Sequence, residues 1–173
     1  MSISIIAAIG KNNELGKKND LLWSLPADMK HFRETTRGHT VVMGQKTFES
    51  LARDENGKQI GRLLPNRRNI ILTQDKSFTA PGAEIVYSVN EVLELLKNPN
   101  EENFIIGGGM IYKLFIDLAD KLYITHVDGE FKDAEIFFPK IDPDKWQKIK
   151  NGKYPKDDLN KYDLEFAEYI KKI

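Results

Sequence analysis

One acid stands out as a candidate for chemistry. The stretch Leu22-Trp23-Ser24-Leu25-Pro26-Ala27-Asp28-Met29 runs from a long polar connection into an amphipathic segment. Pro26 suits the first turn of a helix, where its missing N–H costs nothing. Asp28 then falls in that turn, beside Met29 and one turn before Phe32. Two readings are open. A solvent-facing acid is favoured at a helix start by the helix dipole, and for an isolated residue this is the commoner outcome. Alternatively, Asp28 lies in an apolar pocket with Trp23 and Phe32. A carboxylate so buried needs a cationic or multi-donor partner. A planar amidine-like ligand offers that as two parallel N–H groups in fork geometry.

Three further stretches can meet a ligand. Phe104-Ile105-Ile106-Gly107-Gly108-Gly109-Met110-Ile111-Tyr112 reads as strand, triple glycine, then helix. Glycines let a backbone approach a ligand closely, and the helix start attracts phosphate. The spacing is neither GxGxxG nor a P-loop. A tight turn alone does not need three glycines, so a ligand is the favoured reading. Val41-Val42-Met43-Gly44-Gln45-Lys46-Thr47-Phe48-Glu49-Ser50 is another strand, glycine and helix start. Lys46 and Thr47 can meet phosphates there, although a glycine before a helix with a capping Thr is common. Two such sites in one sheet suggest a dinucleotide. Finally, Arg62, Arg67 and Arg68 fall within seven residues before a buried strand. They are solvated, or one of them clamps a substrate carboxylate bidentately.

Other chemistries are excluded. His31, His39 and His126 lie in separate segments without ligand spacing, so no metal site is expected. His31 is expected along a helix surface, and His126 in the core or at a strand end. No nucleophile elbow of the G-x-S-x-G kind is present. The absence of cysteine removes disulfides and thiolate nucleophiles, and fits a reducing cytoplasm. Lys plus Arg equals Asp plus Glu at 26 each, which gives no reason to expect nucleic acid or an anionic membrane as partner. The opening MSISIIAAIG is too short and lacks the basic lead of a signal peptide. No apolar run approaches the roughly 18 residues of a membrane span.

The elements that must hold these residues follow from periodicity. Strands are expected at Ile3–Ile9, Thr40–Met43, Asn69–Thr73, Glu84–Tyr87, Phe104–Ile106, Lys121–Val127, Trp146–Lys150 and Leu164–Ile170. Helices are expected at Ala27–Thr36, Gln45–Leu51, Val89–Lys97 and Met110–Leu118. Runs such as Ile70-Ile71-Leu72 are apolar on successive residues, as in strands covered on both faces. Alternating strands and helices imply right-handed crossovers and a mostly parallel sheet. The last two strands alternate more visibly. They suggest an antiparallel hairpin joined by Asn151-Gly152 and a polar loop. The 173 residues suit one domain, 1–173, with one sizeable core. Gly10–Ser24 resists regular assignment, and connections of that length are usually functional or mobile. Ala52–Gly61 reads as a solvated surface excursion. Without a long heptad or large apolar stripe, a monomer is the default.

From about Ile3 to Ile170 these segments, in order and spacing, resemble dihydrofolate reductase. The landmarks are Ile6-Ala7-Ala8-Ile9, Gly16, Leu22–Asp28, Val42-Met43-Gly44, Thr47-Phe48-Glu49-Ser50, Leu64-Pro65-Asn66-Arg67, Asn69-Ile70-Ile71-Leu72, Ile106-Gly107-Gly108-Gly109, Tyr112 and Leu122–His126. The resemblance implies a three-layer α/β fold of about eight strands and about four helices, with an antiparallel C-terminal hairpin. It implies NADPH as cofactor, dihydrofolate as substrate and antifolates as inhibitors. Asp28 and Trp23 would be catalytic, with Asp28 on the amidine-like edge of the pterin and Thr125 supporting it. Ile6, Ala7, Met29, Phe32, Leu51, Leu64 and Ile106 would wall the pocket. Arg67 would hold the folate α-carboxylate, with Arg62 nearby. Ala8, Leu15, Gly16, Asn19, Asp20, Gly44, Gln45, Lys46, Thr47, Leu72, Thr73, Gln74, Ile106, Gly107, Gly108, Gly109, Met110, Ile111 and Tyr112 would surround the dinucleotide. The Gly107–Gly108 peptide is typically cis in this family.

The chain also departs from the family pattern. Leu22 stands where many members have proline. Gln45 stands where an arginine is common at the 2′-phosphate, and Gln74 at another position often basic or hydroxylic; Lys46 remains and Lys76 can reach, so a preference for NADPH over NADH is expected, though a modest one. Met110 replaces a residue basic in some members. Glu135 stands for an Asp that often holds the long loop. Two rivals remain. A pyrimidine reductase of riboflavin synthesis shares the fold but typically lacks the Trp-x-x-Pro-x-Asp pocket. A catalytically silent folate- or nucleotide-binding protein would have lost pocket residues, and none is visibly lost here.

Overall fold

The computed structural model describes residues 2–18 and 20–172. Its centre is an eight-stranded sheet of order β10-β11-β8-β1-β7-β4-β5-β6. The strands are β1 (Ser2–Ile9), β4 (Thr40–Gly44), β5 (Arg68–Leu72), β6 (Glu84–Val86), β7 (Glu102–Gly107), β8 (Lys121–Val127), β10 (Trp146–Tyr154) and β11 (Leu164–Lys171). The helices are α1 (Pro26–Thr36), α2 (Gln45–Ser50), α3 (Val89–Leu95) and α4 (Gly109–Phe115). Pairings from β8 through β6 are parallel, and β11 runs antiparallel to both β8 and β10. This is the mostly parallel sheet with a C-terminal antiparallel hairpin that the sequence pattern predicts.

Side chains alternate across the sheet, so each strand feeds two cores. From β1, Ile3, Ile5, Ala7 and Ile9 enter one layer with Val92, Ile111, Tyr112 and Phe115. Ile6 enters the opposite layer with Val41, Met43, Phe48 and Ile106, against Phe32. Both faces are therefore covered, which is why the inner strands read as unbroken apolar runs.

Three findings differ from the sequence expectation. First, the 10–24 segment is not irregular throughout. It contributes β2 (Glu14–Lys17) and β3 (Asp20–Leu21) to a second, small sheet with β9 (Ile136–Phe137) in the order β3-β2-β9. Second, Asn151-Gly152 is not the hairpin turn. It lies inside β10, paired with Ala167 and Phe166, and the connection falls at residues 155–163. β10 is an edge strand exposed at every position after Trp146, so its strand state comes from pairing with β11 rather than from an apolar pattern. Third, α3 and α4 end earlier than periodicity suggests, at Leu95 and Phe115. Among the described residues no helix is long and apolar enough to cross a membrane, and no group of three or more His, Asp or Glu is placed to hold a metal ion.

Candidate active site

Helix α1 begins without a side-chain cap of its own. Its free first-turn N–H groups need acceptors. One comes from far along the chain: the Ala27 N–H donates to Asn160 Oδ1 at 2.9 Å. Asn160 is itself buried and donates its side-chain amide to Asp157 Oδ1 at 2.9 Å. Nothing in the local sequence signals this long-range cap, and it fixes the turn that carries Asp28.

Asp28 is half-buried and faces a cavity of about 250 Å³ lined by Leu21, Trp23, Ser24, Leu25, Asp28 and Met29. Burial pushes its carboxyl above the usual carboxylate range, and a hydrogen bond with the Thr125 side chain offsets part of the rise. Thr125 is buried on β8. The surface-acid reading of Asp28 thus gives way to the pocket reading. The Trp23 indole N–H, at the same cavity, is buried and has no hydrogen-bond acceptor among the described residues. A larger cavity of about 380 Å³ lies elsewhere, against His126, Trp146 and Tyr169. It holds no carboxylate. His126 there is engaged by the Tyr169 hydroxyl at 2.7 Å and Lys148 by Glu165, so Asp28 marks the better candidate. His31 is half-buried against Phe166, with ring centroids 4.5 Å apart, rather than lying on an open helix surface.

The predicted pocket walls sort into groups. Ile6, Phe32, Leu51, Leu64 and Ile106 share one apolar cluster. Ala8 and Trp23 both pack against another cluster, that of Leu25, Val127 and Leu164. Ala7 does not join them; its methyl turns to the opposite layer, as alternation along β1 requires. Met29 is exposed at the cavity mouth. Arg67 is held rather than waving: its guanidinium donates to Thr36 Oγ1 at 2.9 Å, Pro65 O at 2.7 Å and Arg33 O at 3.0 Å, and sits 6.0 Å from the Phe32 ring centroid. Burial, then the charges of Arg37 and Arg33, lower its pKa. Such a crowded cation is stabilised by an incoming anion. Arg33 and Arg37 were not singled out in the sequence. Arg62 is exposed, and Arg68 is tied to Glu84 and the Leu95 carbonyl, so it serves the sheet.

The predicted dinucleotide residues meet at one sheet edge. β4 lies between β5 and β7, with Gly44 level with Leu72 and Met43 level with Gly107. The ends carrying Gly44–Thr47, Leu72–Gln74 and Gly107–Tyr112 are therefore adjacent. The Gly107–Gly108 peptide is cis. A Cβ on Gly108 would sit 3.3 Å from Thr47 Oγ1, so the two strand-to-helix turns touch there. Thr47 does not cap α2, whose cap is Gly44. Tyr112 is buried and donates to the Ile6 carbonyl at 2.8 Å, with burial and the Asp28 charge pushing its phenol far above its ordinary value. It stays a proton donor to β1. A side chain at Gly109 would force Ile136 to shift, because its Cγ2 would lie 2.5 Å from the added Cβ.

The other predicted cofactor residues divide between protein-bound and exposed positions. Gln45 is bridged, accepting from Thr73 Oγ1 at 2.6 Å and donating to Glu49 at 2.9 Å. Gln74 and Met110 are exposed. Asp20 pairs with Arg53, which brings the 52–61 excursion against β3. Leu15 packs on the core, and Gly16 lies close to the Asp20 carbonyl. Glu135 holds the loop, accepting from the Lys18 N–H at 3.3 Å and donating its own N–H to Gly16 O at 3.0 Å. Asn19 lies outside the described residues.

In open α/β sheets, ligands bind in the crevice outside the carboxyl ends of the strands. Here that crevice is floored by glycine backbone and flanked by a half-buried acid, which defines a dinucleotide-dependent α/β enzyme. The comparisons narrow the class. The dihydrofolate reductase family profile matches residues 2–171. The dihydrofolate reductase of Bacillus subtilis (strain 168) is 41% identical over 170 residues, covering 98% of this chain and 95% of that protein. The type 3 dihydrofolate reductase of Salmonella typhimurium is 41% identical over 167 residues, covering 96% of each. The solved structure of the Enterococcus faecalis dihydrofolate reductase, complexed with NADP(H) and RAB-propyl, aligns with a TM-score of 0.88 at 31% identity, covering 99% of this chain and 97% of that one. The chain belongs to the dihydrofolate reductase family.

Proposed function

We propose that Asp28 anchors the pterin in the reaction that family membership assigns to this chain, the NADPH-dependent reduction of 7,8-dihydrofolate to tetrahydrofolate. The observation that carries this reading is a half-buried carboxyl, raised by burial and partnered by the Thr125 side chain, at the wall of the cavity beside Trp23. A carboxylate with unused lone pairs in such a place attracts a planar donor pair. The glycine-lined edge formed by Gly44 and Gly107–Gly109 suits a dinucleotide, since backbone can approach it closely there. When bound, NADPH supplies the hydride for pterin C6.

The chain's own residues then do three things. Ile6, Phe32, Leu51, Leu64 and Ile106 form an apolar wall that excludes water from the ring faces. Arg67, prefixed by its three backbone and hydroxyl contacts, receives the carboxylate of the substrate tail. Asp28 holds the ring and tunes its basicity, while the N5 proton comes from water. The unsatisfied Trp23 N–H supports a polar ligand atom or a water at that point. The same anchor suits antifolates with an amidine-like edge.

We also propose a cytoplasmic monomer. The outer edge strand β10 carries Lys148, Lys150 and Lys153, a charge pattern that discourages edge-to-edge pairing. The test of the activity is direct. Protein is mixed with dihydrofolate and NADPH, and nicotinamide absorbance is followed. Oxidation above background is expected; none, from folded protein, would reject the reading. Repeating it with NADH measures the discrimination left with Gln45 bridged to Thr73 and Glu49.

A further inference from the structure

We infer that Glu14 is a positioning residue for Trp23, acting through Phe131, and thereby for the reaction; the inference rests on the site reading above. Glu14 lies on β2 and is 2% exposed. Its Oε2 accepts the Asn12 N–H at 2.7 Å, and its Oε1 accepts the Phe131 N–H at 3.0 Å and the Asn12 amide at 3.2 Å. One carboxylate thus ties the start of the 10–24 segment to a loop 117 residues away. Among the described residues no cation pairs with it. Burial alone would raise its pKa, but the backbone N–H donors outweigh burial and hold it below the usual carboxylate range. It is therefore an anion at working pH, held by directional donors rather than by a counter-ion.

The connection reaches the site through rings. The Phe131 ring lies 4.8 Å from the Trp23 ring and 5.3 Å from that of Tyr162, centroid to centroid. Glu14 fixes the backbone of Phe131, and Phe131 packs on Trp23. Among the described residues the Trp23 indole N–H has no acceptor, and the ring contact with Phe131 is what sets its angle. The packing leaves no slack: a Cβ on Gly10 would lie 2.4 Å from Glu14 Oε2 and 2.9 Å from the Phe131 ring. Two backbone bonds at the same base, Lys11 N–H to Gly129 O at 2.9 Å and Gly10 N–H to Glu14 O at 3.0 Å, do not need the carboxylate. The loop therefore stays attached when the carboxylate is changed, while the Phe131 N–H loses its anionic acceptor.

A double-mutant cycle tests this. Single-turnover reduction of dihydrofolate by NADPH is measured for wild type, Glu14→Gln, Trp23→Phe and the double variant. Glu14→Gln is expected to slow the step about tenfold with Trp23 present and by less than about twofold in the Trp23→Phe background, since small misplacements at a reacting centre cost rate and shared effects do not add. In Glu14→Gln the Trp23 indole N–H resonance should move while that of Trp146 stays. Equal slowing in both backgrounds, or an unmoved Trp23 resonance, overturns the inference and leaves the site reading intact. A Trp23→Phe enzyme as fast as wild type would overturn the inference too, while loss of the site reading would show instead as full activity of Asp28→Asn. Should Glu14→Gln fail to fold, Phe131→Leu keeps the carboxylate's N–H partners and is held to the same coupling.

Discussion

Asp28 is a group the unliganded fold holds against its preference. Burial raises its pKa, so the folded protein binds that proton more tightly than the unfolded chain does. Its contribution to stability is therefore fullest below the unfolded carboxyl pKa and falls as pH rises through the raised folded value. Asp28→Asn should raise the thermal midpoint of the ligand-free protein at pH above neutrality, and the gain should shrink as the solution is acidified. A midpoint lowered at high pH would contradict this. Arg67 stands in a similar position, since its fork is pinned and its neighbours Arg33 and Arg37 repel it. Arg67→Gln removes a charged contact of about 1.5–3 kcal/mol, so KM for dihydrofolate should rise about ten- to a hundredfold with kcat much less affected. A substrate truncated at the glutamate tail should show little difference between the two enzymes. Sequence alone exposed these residues unevenly. Asp28 was ambiguous as a helix-start acid, and only its ordered neighbours resolved it. The supporting charges Arg33 and Arg37 lie on exposed positions of a helix end, where cations are ordinary.

At the scale of elements, the helix that presents Asp28 depends on a residue 133 positions away. Asn160→Ala removes the acceptor for the Ala27 N–H and an amide partner of Asp157. It should destabilise the protein by about 1–3 kcal/mol, the range for a lost cap joined to a buried polar group left unsatisfied. KM for dihydrofolate should rise with it, because the turn carrying Asp28 is released; denaturant unfolding and steady-state kinetics check both. The inner strands β1, β4, β5 and β7 were legible because both faces are buried and the apolar run is continuous. β2, β3 and β9 were not, because strands of two to four residues carry no periodicity, and Ile136 and Phe137 are exposed. β10 was cut short at its Asn-Gly pair because an exposed edge strand looks like a turn wherever its residues suit one. Of the site, the glycine-lined edge was legible in order and spacing. The Glu14–Phe131–Trp23 connection was not, since it joins loops through backbone N–H groups that any residue possesses.

At the scale of the whole molecule, the topology interleaves the chain. β1 sits between β7 and β8, so its partners come from residues 102–107 and 121–127, while β4 lies beyond β7. No cut in the sequence separates two self-sufficient halves of this sheet. We therefore expect residues 1–173 to unfold as one unit, with far-UV and aromatic signals changing at the same denaturant concentration and NADPH shifting both midpoints together. Separate transitions would contradict that. At the crevice built by the strand ends, we propose, one half-buried carboxyl anchors and tunes the pterin. The most direct measurement of this is kcat/KM of the Asp28→Asn enzyme for NADPH-dependent dihydrofolate reduction as a function of pH. A loss of about a hundredfold or more is expected at neutral pH, the scale on which a placed polar group aids proton chemistry, with the deficit narrowing in acid as solvent protonates the substrate without help. Full activity of Asp28→Asn at neutral pH would contradict it.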